Sequence, residues 1–144
     1  MIDVQKRLKR IQRIHGLETC QLNLLVVQLA KADSDLAEQN RQVLEMYATK
    51  EQGLTDPSRC SLEMLTQNGR WIDSIHRAIN VALKAVEETE SKRRKLESKV
   101  LDQRGRVRGL ETLMDQMRVA LKADAETQTA LMADENALKD YTRN

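Results

Sequence analysis

Histidine and cysteine, the residue types that most often ligate transition metals, are rare in this sequence. His15 and His76 are the only histidines, and Cys20 and Cys60 are the only cysteines. Neither histidine belongs to a His-x₃-His or Cys/His cluster, so a metal site has little support. No glycine-rich phosphate loop and no nucleophile motif is present. We therefore expect no enzymatic activity, no cofactor and no small-molecule substrate.

The two cysteines are expected to be unpaired thiols. If they lie on one helix and in the loop after it, the helical rise of 1.5 Å per residue separates them by roughly 60 Å. A disulfide requires Cα atoms within about 7 Å of each other. Unpaired thiols fit a reducing compartment. No apolar run approaches the ~20 residues that span a bilayer, and we expect a soluble, cytoplasmic protein.

The composition favours long helices. The chain has 144 residues with 24 basic and 22 acidic side chains, 2 % aromatic residues, five glycines and one proline. Proteins rich in β-sheet need more aromatic residues and more turn-forming Gly and Pro. Abundant Ala, Glu, Lys, Leu, Arg and Gln with few helix breakers is typical of coiled coils. The predicted fold class is therefore all-α.

A seven-residue repeat of apolar residues runs through the first third of the chain. Starting at Val4 and stepping alternately by four and three residues, ten of thirteen positions are apolar. A period of 3.5 residues is typical of coiled-coil packing. This first heptad series comprises Val4, Leu8, Ile11, His15, Glu18, Leu22, Leu25, Leu29, Ala32, Leu36, Gln39, Val43 and Met46.

A second heptad series begins at Ile72 and keeps its phase for twenty positions, fourteen of them apolar. A strict period of 3.5 residues predicts a left-handed supercoil. The series comprises Ile72, Ile75, Ile79, Ala82, Val86, Thr89, Arg93, Leu96, Val100, Gln103, Val107, Leu110, Met114, Met117, Leu121, Asp124, Gln128, Leu131, Glu135 and Leu138.

Between the two series lie residues that stop helices. Gly53 is a candidate C-cap, Asp56-Pro57 is a candidate N-cap followed by proline, and Asn68-Gly69 is a second break. We predict one domain, residues 1–144, folded as an antiparallel left-handed coiled-coil hairpin. Its predicted parts are helix 1 over about 2–51, a turn and short helical crossover over 52–69, and helix 2 over about 70–141.

Helix 2 is predicted to be longer than helix 1. Folding the chain about residue 60 sets residue 4 opposite residue 116. Beyond about Leu121, helix 2 would then project past the start of helix 1 without an intramolecular partner. Polar residues enter the second heptad series in this part of the chain, whereas Leu121, Leu131 and Leu138 remain on one side. An unpaired helix of this kind is expected to bind a partner.

Charge is segregated along the chain although the net charge is only +2. A basic cluster occupies the start of helix 1, a second lies between residues 92 and 108, and the end of the chain is acidic. These clusters are solvated helix faces or surfaces that dock onto other proteins. No aromatic residues alternate with the basic ones to stack on bases, so nucleic acid is not an expected partner. The first cluster comprises Lys6, Arg7, Lys9, Arg10 and Arg13.

At three places the sequence resembles the FliJ/YscO family, the central-stalk proteins of bacterial type III export. Residues 70–79 (RWIDSIHRAI) are similar to the family's segment in which an aromatic residue is followed by an aliphatic one four residues on and by Ala-Ile three later. The basic run 91–97 (SKRRKLE) and the ending 135–140 (ENALKD) also resemble the family. Length and helix layout extend the resemblance over most of the chain, and the flagellar branch is favoured over the injectisome branch.

The resemblance implies a shaft like that of rotary ATPases. In the family, the paired termini insert into the pore of a hexameric export ATPase (FliI-like) and promote its assembly and turnover. The residues expected to contact the ATPase ring are, from helix 1, Lys6, Arg7 and Arg10, and, from helix 2, Leu121, Leu131 and Leu138.

The opposite region of family members contacts a membrane-embedded export gate protein (FlhA-like), and export chaperones are further implied partners. Trp71, Ile75 and Ala78 match the gate-contact segment. Ala82 aligns where a larger polar side chain can occur in the family. Trp71 adjoins Ile72, so its indole either packs on helix 1 or the crossover, or is an exposed anchor. The implied location is the cytoplasm, peripherally at the inner membrane.

A different class of function remains open on the sequence alone. The chain could be a structural coiled-coil protein whose two helices pair with a second chain, or a chaperone of export substrates. A hairpin brings residues 34 and 94 together within one chain, whereas an extended dimer keeps them apart.

Overall fold

Two long helices form the structure, a computed structural model that describes residues 2–55 and 62–143. Helix α1 spans Ile2–Thr55 and helix α2 spans Leu62–Arg143. The side chains of Thr55 and of residues 62–66 are not described. Helix-favouring residues dominate both sequences, and threonine hydroxyls such as that of Thr19 donate back to the carbonyl four residues earlier. The prediction of an all-helical chain with two long helices packed against each other is confirmed.

The ends of the helices differ from those predicted. Residues 52–55 continue α1, and residues 62–69 already belong to α2. The predicted break at Asn68-Gly69 is therefore regular helix, since Gly costs only about 1 kcal/mol relative to Ala in a helix interior. Likewise, Gly53 is helical rather than a left-handed C-cap, because no described glycine has a positive φ. The remaining crossover residues, 56–61, lie outside the described part.

Burial follows the two heptad series. Every position of the first series, from Val4 to Met46, is buried or half-buried. Positions of the second series are buried or half-buried from Ile72 to Leu121 and exposed from Asp124 onward. The side chains between these positions mostly face solvent, as expected when each helix covers a single stripe of the other.

The chain divides into two compact units, each built from parts of both helices. Unit 1 comprises Met1–Leu24 and Leu101–Asn144, and its buried residues include Val107, Met114 and Gln103.

Paired side chains set the direction of the helices within unit 1. His15 of α1 meets Glu111 of α2, with Nε2 and Oε1 3.2 Å apart. Three residues later, Glu18 meets Gln103. The residue numbers of the α2 partners decrease as those of the α1 residues increase. The two segments therefore run in opposite directions.

Unit 2 comprises Leu25–Val100. Its buried apolar residues come from both helices and are small or β-branched. Asp33 pairs with Arg93 across the two segments, with Oδ1 and Nε 2.6 Å apart. The segments of unit 2 are therefore also held face to face. The buried apolar residues of unit 2 are Ala32, Val43, Ile79 and Val100.

Candidate interaction surfaces

Two polar heptad residues on opposite helices, Glu18 and Gln103, bind each other within unit 1. Gln103 is 4 % exposed. Its Nε2 donates to the Glu18 carbonyl oxygen at 2.9 Å and also to the Glu18 carboxylate. In unit 2, the hydrogen bond to Asp33 raises the pKa of the Arg93 guanidinium above its ordinary value. These polar contacts therefore join α1 to α2 within each unit.

The two histidines and Cys20 lie in different surroundings. His15 is half-buried and bonded to Glu111, whereas His76 is exposed. Cys20 is an exposed free thiol, and Cys60 lies outside the described residues. Within residues 2–55 and 62–143, no group of three His, Cys, Asp or Glu could hold a metal ion.

The gate-contact segment implied by the resemblance lies in unit 2 and packs partly on α1. Trp71 is half-buried, and its six-membered ring lies so close to Gly53 that a Cβ at that position would overlap it. Gly53 thus provides the space for the indole, a contact that the sequence alone left open. The remaining three residues of the segment differ in exposure, because Ile75 and Ala82 are half-buried heptad positions whereas Ala78 is exposed.

A shallow groove joins part of this segment to α1. Ile75 and Ala78 line it from α2, and its volume is about 330 Å³. Trp71 and Ala82 do not line it. The α1 half of the groove was not predicted, because only the folded pairing brings residues about thirty positions apart together. The α1 residues that line it are Gln42, Glu45, Met46 and Thr49.

The residues expected to contact an ATPase ring all lie in unit 1, in two different environments. Lys6, Arg7 and Arg10 are exposed on α1. Leu121 is half-buried and is the last covered position of the second heptad series. By contrast, Leu131 and Leu138 are 58 % and 63 % exposed.

The stretch after Leu121 is exposed throughout. Every residue from 122 to 143, the C-terminal segment, faces solvent. The hydroxyls of Thr127, Thr129 and Thr142 donate to carbonyls of their own helix. The C-terminal segment is thus a helix whose apolar side chains are not covered by α1.

A second groove, on the flank of unit 1, was not anticipated from the sequence. It has a volume of about 340 Å³ and contains apolar residues of both helices, notably Ile14 and Leu113. No atom lies within 4 Å of a Cβ built on Gly109, so the groove is open at that point. We call it the Ile14 groove. Its lining residues are Ile14, Glu18, Arg106, Gly109, Leu110 and Leu113.

No helix in residues 2–55 or 62–143 contains a stretch both long and apolar enough to cross a membrane. Comparison with protein-family models, curated proteins and solved structures finds no match to this chain.

Proposed function

We propose that this chain is a non-catalytic stalk component of a bacterial type III protein export apparatus, of the flagellar kind. In this proposal α1 and α2 form an antiparallel left-handed coiled-coil hairpin. The heptad period of 3.5 residues supports the handedness, and the cross-helix pairs in each unit support the direction. The resemblance of residues 70–79, 91–97 and 135–140 to the FliJ/YscO family supports the assignment.

The observation that carries the proposal is the exposure of the C-terminal segment. A helix with Leu131 and Leu138 more than half exposed gains stability when a partner covers those side chains. The acidic end of α2 and the basic start of α1 offer charges of both signs to that partner. We propose that the partner is a hexameric export ATPase, whose pore receives the paired termini and whose assembly and turnover are thereby promoted.

The second proposed partner is the membrane-embedded export gate. Ala78 and the part-exposed ring of Trp71 supply the accessible contact area. Ile75 reaches the surface along the groove that it forms with α1. Binding at this segment would link the ATPase to the gate and hold the chain peripherally at the inner membrane, and export chaperones would be additional partners.

An ATPase assay tests the proposal. Purified full-length chain should raise the hydrolysis rate of the cognate export ATPase and co-elute with it. The double variant Leu131→Asp, Leu138→Asp should lose both effects, because it places charges on the proposed contact face. Met132→Asp is the matched control, since Met132 is 66 % exposed on another side of the same segment and should retain stimulation. Absence of stimulation and of co-elution by the unmodified chain would refute the proposal.

The second candidate function is structural or chaperone-like action through helix–helix pairing. The same exposed C-terminal segment favours it, because a free amphipathic helix also binds helical segments of other proteins. Binding to unassembled export substrates with no effect on the ATPase would support this alternative.

A further inference from the structure

Unit 1 has an exposed apolar face next to the Ile14 groove. Leu17 and Leu24 are 73 % and 64 % exposed, while Ile14 and Leu113 are 40 % and 39 % exposed. With 100° per residue in an α-helix, Ile14, Leu17 and Leu24 lie within about 80° of one another on α1. This face is separate from the heptad positions that α2 covers, and such apolar clusters on a surface mark sites of interaction.

Basic side chains surround this face. Arg10 and Arg13 are exposed on the same side of α1, and Arg106 lines the groove from α2. Glu18 also lines the groove, but its carboxylate accepts a hydrogen bond from Gln103. The surroundings therefore favour an occupant that is apolar in the middle and acidic at its edges.

The C-terminal segment has that chemistry. Leu131, Leu138 and Tyr141 lie within about 80° of arc on one side of the helix and are 58 %, 63 % and 82 % exposed. Asp134 and Glu135 lie on or beside the same face. Residues 122–143 contain five acidic and three basic side chains, a net charge of −2.

A chain cannot place this segment in its own groove. Helix α2 is continuous from Leu62 to Arg143, so the residues after Leu121 continue in the direction that α2 already has. They therefore point away from residues 14–24 of the same chain. The C-terminal segment can therefore lie beside that face only when it belongs to a second molecule.

We propose that the C-terminal segment of one copy docks on the Ile14 groove of a second copy and that the exchange is mutual. The product is a two-fold symmetric dimer with two identical contacts. A segment of 22 residues is about 33 Å long, which suffices to cover residues 4–24 of α1. In the register that matches charge and apolar groups, Leu131 lies near Ile14 and Leu113, Tyr141 lies near Leu24, and Leu138 lies between Leu17 and Leu24.

This dimer is independent of the proposed function but has a consequence for it. The docked segment is the part of the chain that would enter an ATPase ring, so self-association and ring binding exclude each other. In the dimer, the side chains of Leu131 and Leu138 would be covered by the second copy.

Sedimentation of the full-length chain tests the dimer. The unmodified chain should form a dimer whose dissociation constant rises with salt, because oppositely charged rims are screened. Leu17→Glu should raise that constant about tenfold or more, since it places an acid opposite the acidic segment. Leu44→Glu is the matched control, because Leu44 is 69 % exposed on unit 2 and should leave the dimer unchanged. Far-UV circular dichroism establishes that both variants remain helical.

Charge reversal identifies the two surfaces. Arg10→Glu with Arg13→Glu should weaken the dimer, and adding Asp134→Lys with Glu135→Lys to the same chain should restore it. A monomer at all concentrations and salt levels would overturn the proposal. A dimer weakened equally by Leu17→Glu and Leu44→Glu, or not rescued by the second charge reversal, would also overturn it. None of these outcomes depends on an export ATPase.

Discussion

Helix α2 continues one heptad series through two different environments. From Ile72 to Leu121 the heptad positions are buried or half-buried, and from Asp124 to Leu138 they are exposed. The spacing is the same on both sides of Leu121, but the residue types differ, because polar residues occupy three of the last five positions. The period of a helix therefore predicts which side can pack, whereas the composition of that side indicates whether a partner is present in the same chain.

The largest expected difference between these regions comes from a pair of methionines. Met114 is 5 % exposed and Met132 is 66 % exposed. Met114→Ala should lower the free energy of unfolding by about 2–4 kcal/mol through lost burial and a cavity. Met132→Ala should change it by less than about 0.5 kcal/mol. Urea denaturation followed by circular dichroism measures both, and equal losses would contradict the assigned burial.

The next-largest effect on the free energy of unfolding is expected at the polar pair Glu18–Gln103, where α1 covers α2. Gln103→Leu should destabilise the chain by about 1–3 kcal/mol, because it removes the donor to Glu18 and leaves its carboxylate unsatisfied next to the heptad core. The double variant Gln103→Leu, Glu18→Leu should recover most of that loss, since both partners become apolar. Gln128→Leu, at an exposed heptad position, is the control and should be nearly neutral. Failure of the double variant to recover stability would show that the two residues are not partners.

The sequence predicted the helices and their packing sides but not the contacts across them. Both heptad series were readable because their residues are local in sequence. The pairings Glu18–Gln103, Asp33–Arg93 and Gly53–Trp71 join residues 18 to 85 positions apart. Such pairings depend on the register of the helices, which the apolar pattern alone does not define.

Two predicted helix ends were wrong, because glycine or asparagine alone does not end a helix that is long and packed against another. Asn68-Gly69 and Gly53 look like ends, yet both lie within helices. For Gly53 the reason is visible, because its missing side chain makes room for Trp71. The Ile14 groove could not be predicted from the sequence either, because its two walls belong to different helices.

Glycine substitutions distinguish a glycine that makes room for a neighbouring side chain from one that faces open space. Their expected effects on stability are smaller than those above. Gly105→Ala should stabilise the chain by about 0.5–1 kcal/mol, because no atom lies within 4 Å of the added Cβ and Ala favours helix. Gly53→Ala should instead destabilise it by about 1 kcal/mol, since the Cβ overlaps the Trp71 ring. Thermal unfolding and the Trp71 fluorescence report on both variants. Stabilisation by Gly53→Ala with unchanged fluorescence would refute the contact.

The smallest effect concerns an exposed ion pair of unit 2. The hydrogen bond from Arg41 lowers the pKa of the Glu38 carboxyl below its ordinary value. A carboxyl whose pKa is lowered on folding adds stability above the unfolded pKa, and that stability is lost as the pH falls through the folded pKa. Carboxyl NMR titration should show Glu38 protonating at lower pH than in the Arg41→Gln variant. Identical titration curves would show that the pair does not form in solution.

Pairing of α1 with α2 within one chain is the central claim, because it leaves the C-terminal segment for another molecule. Spin labels at Ser34 and Arg94, both exposed and next to the Asp33–Arg93 pair, measure it most directly. We predict a short distance, set by helix axes about 8–10 Å apart, that persists when labelled chain is diluted with an excess of unlabelled chain. A short distance that disappears on dilution, or one that is absent from the start, would contradict it.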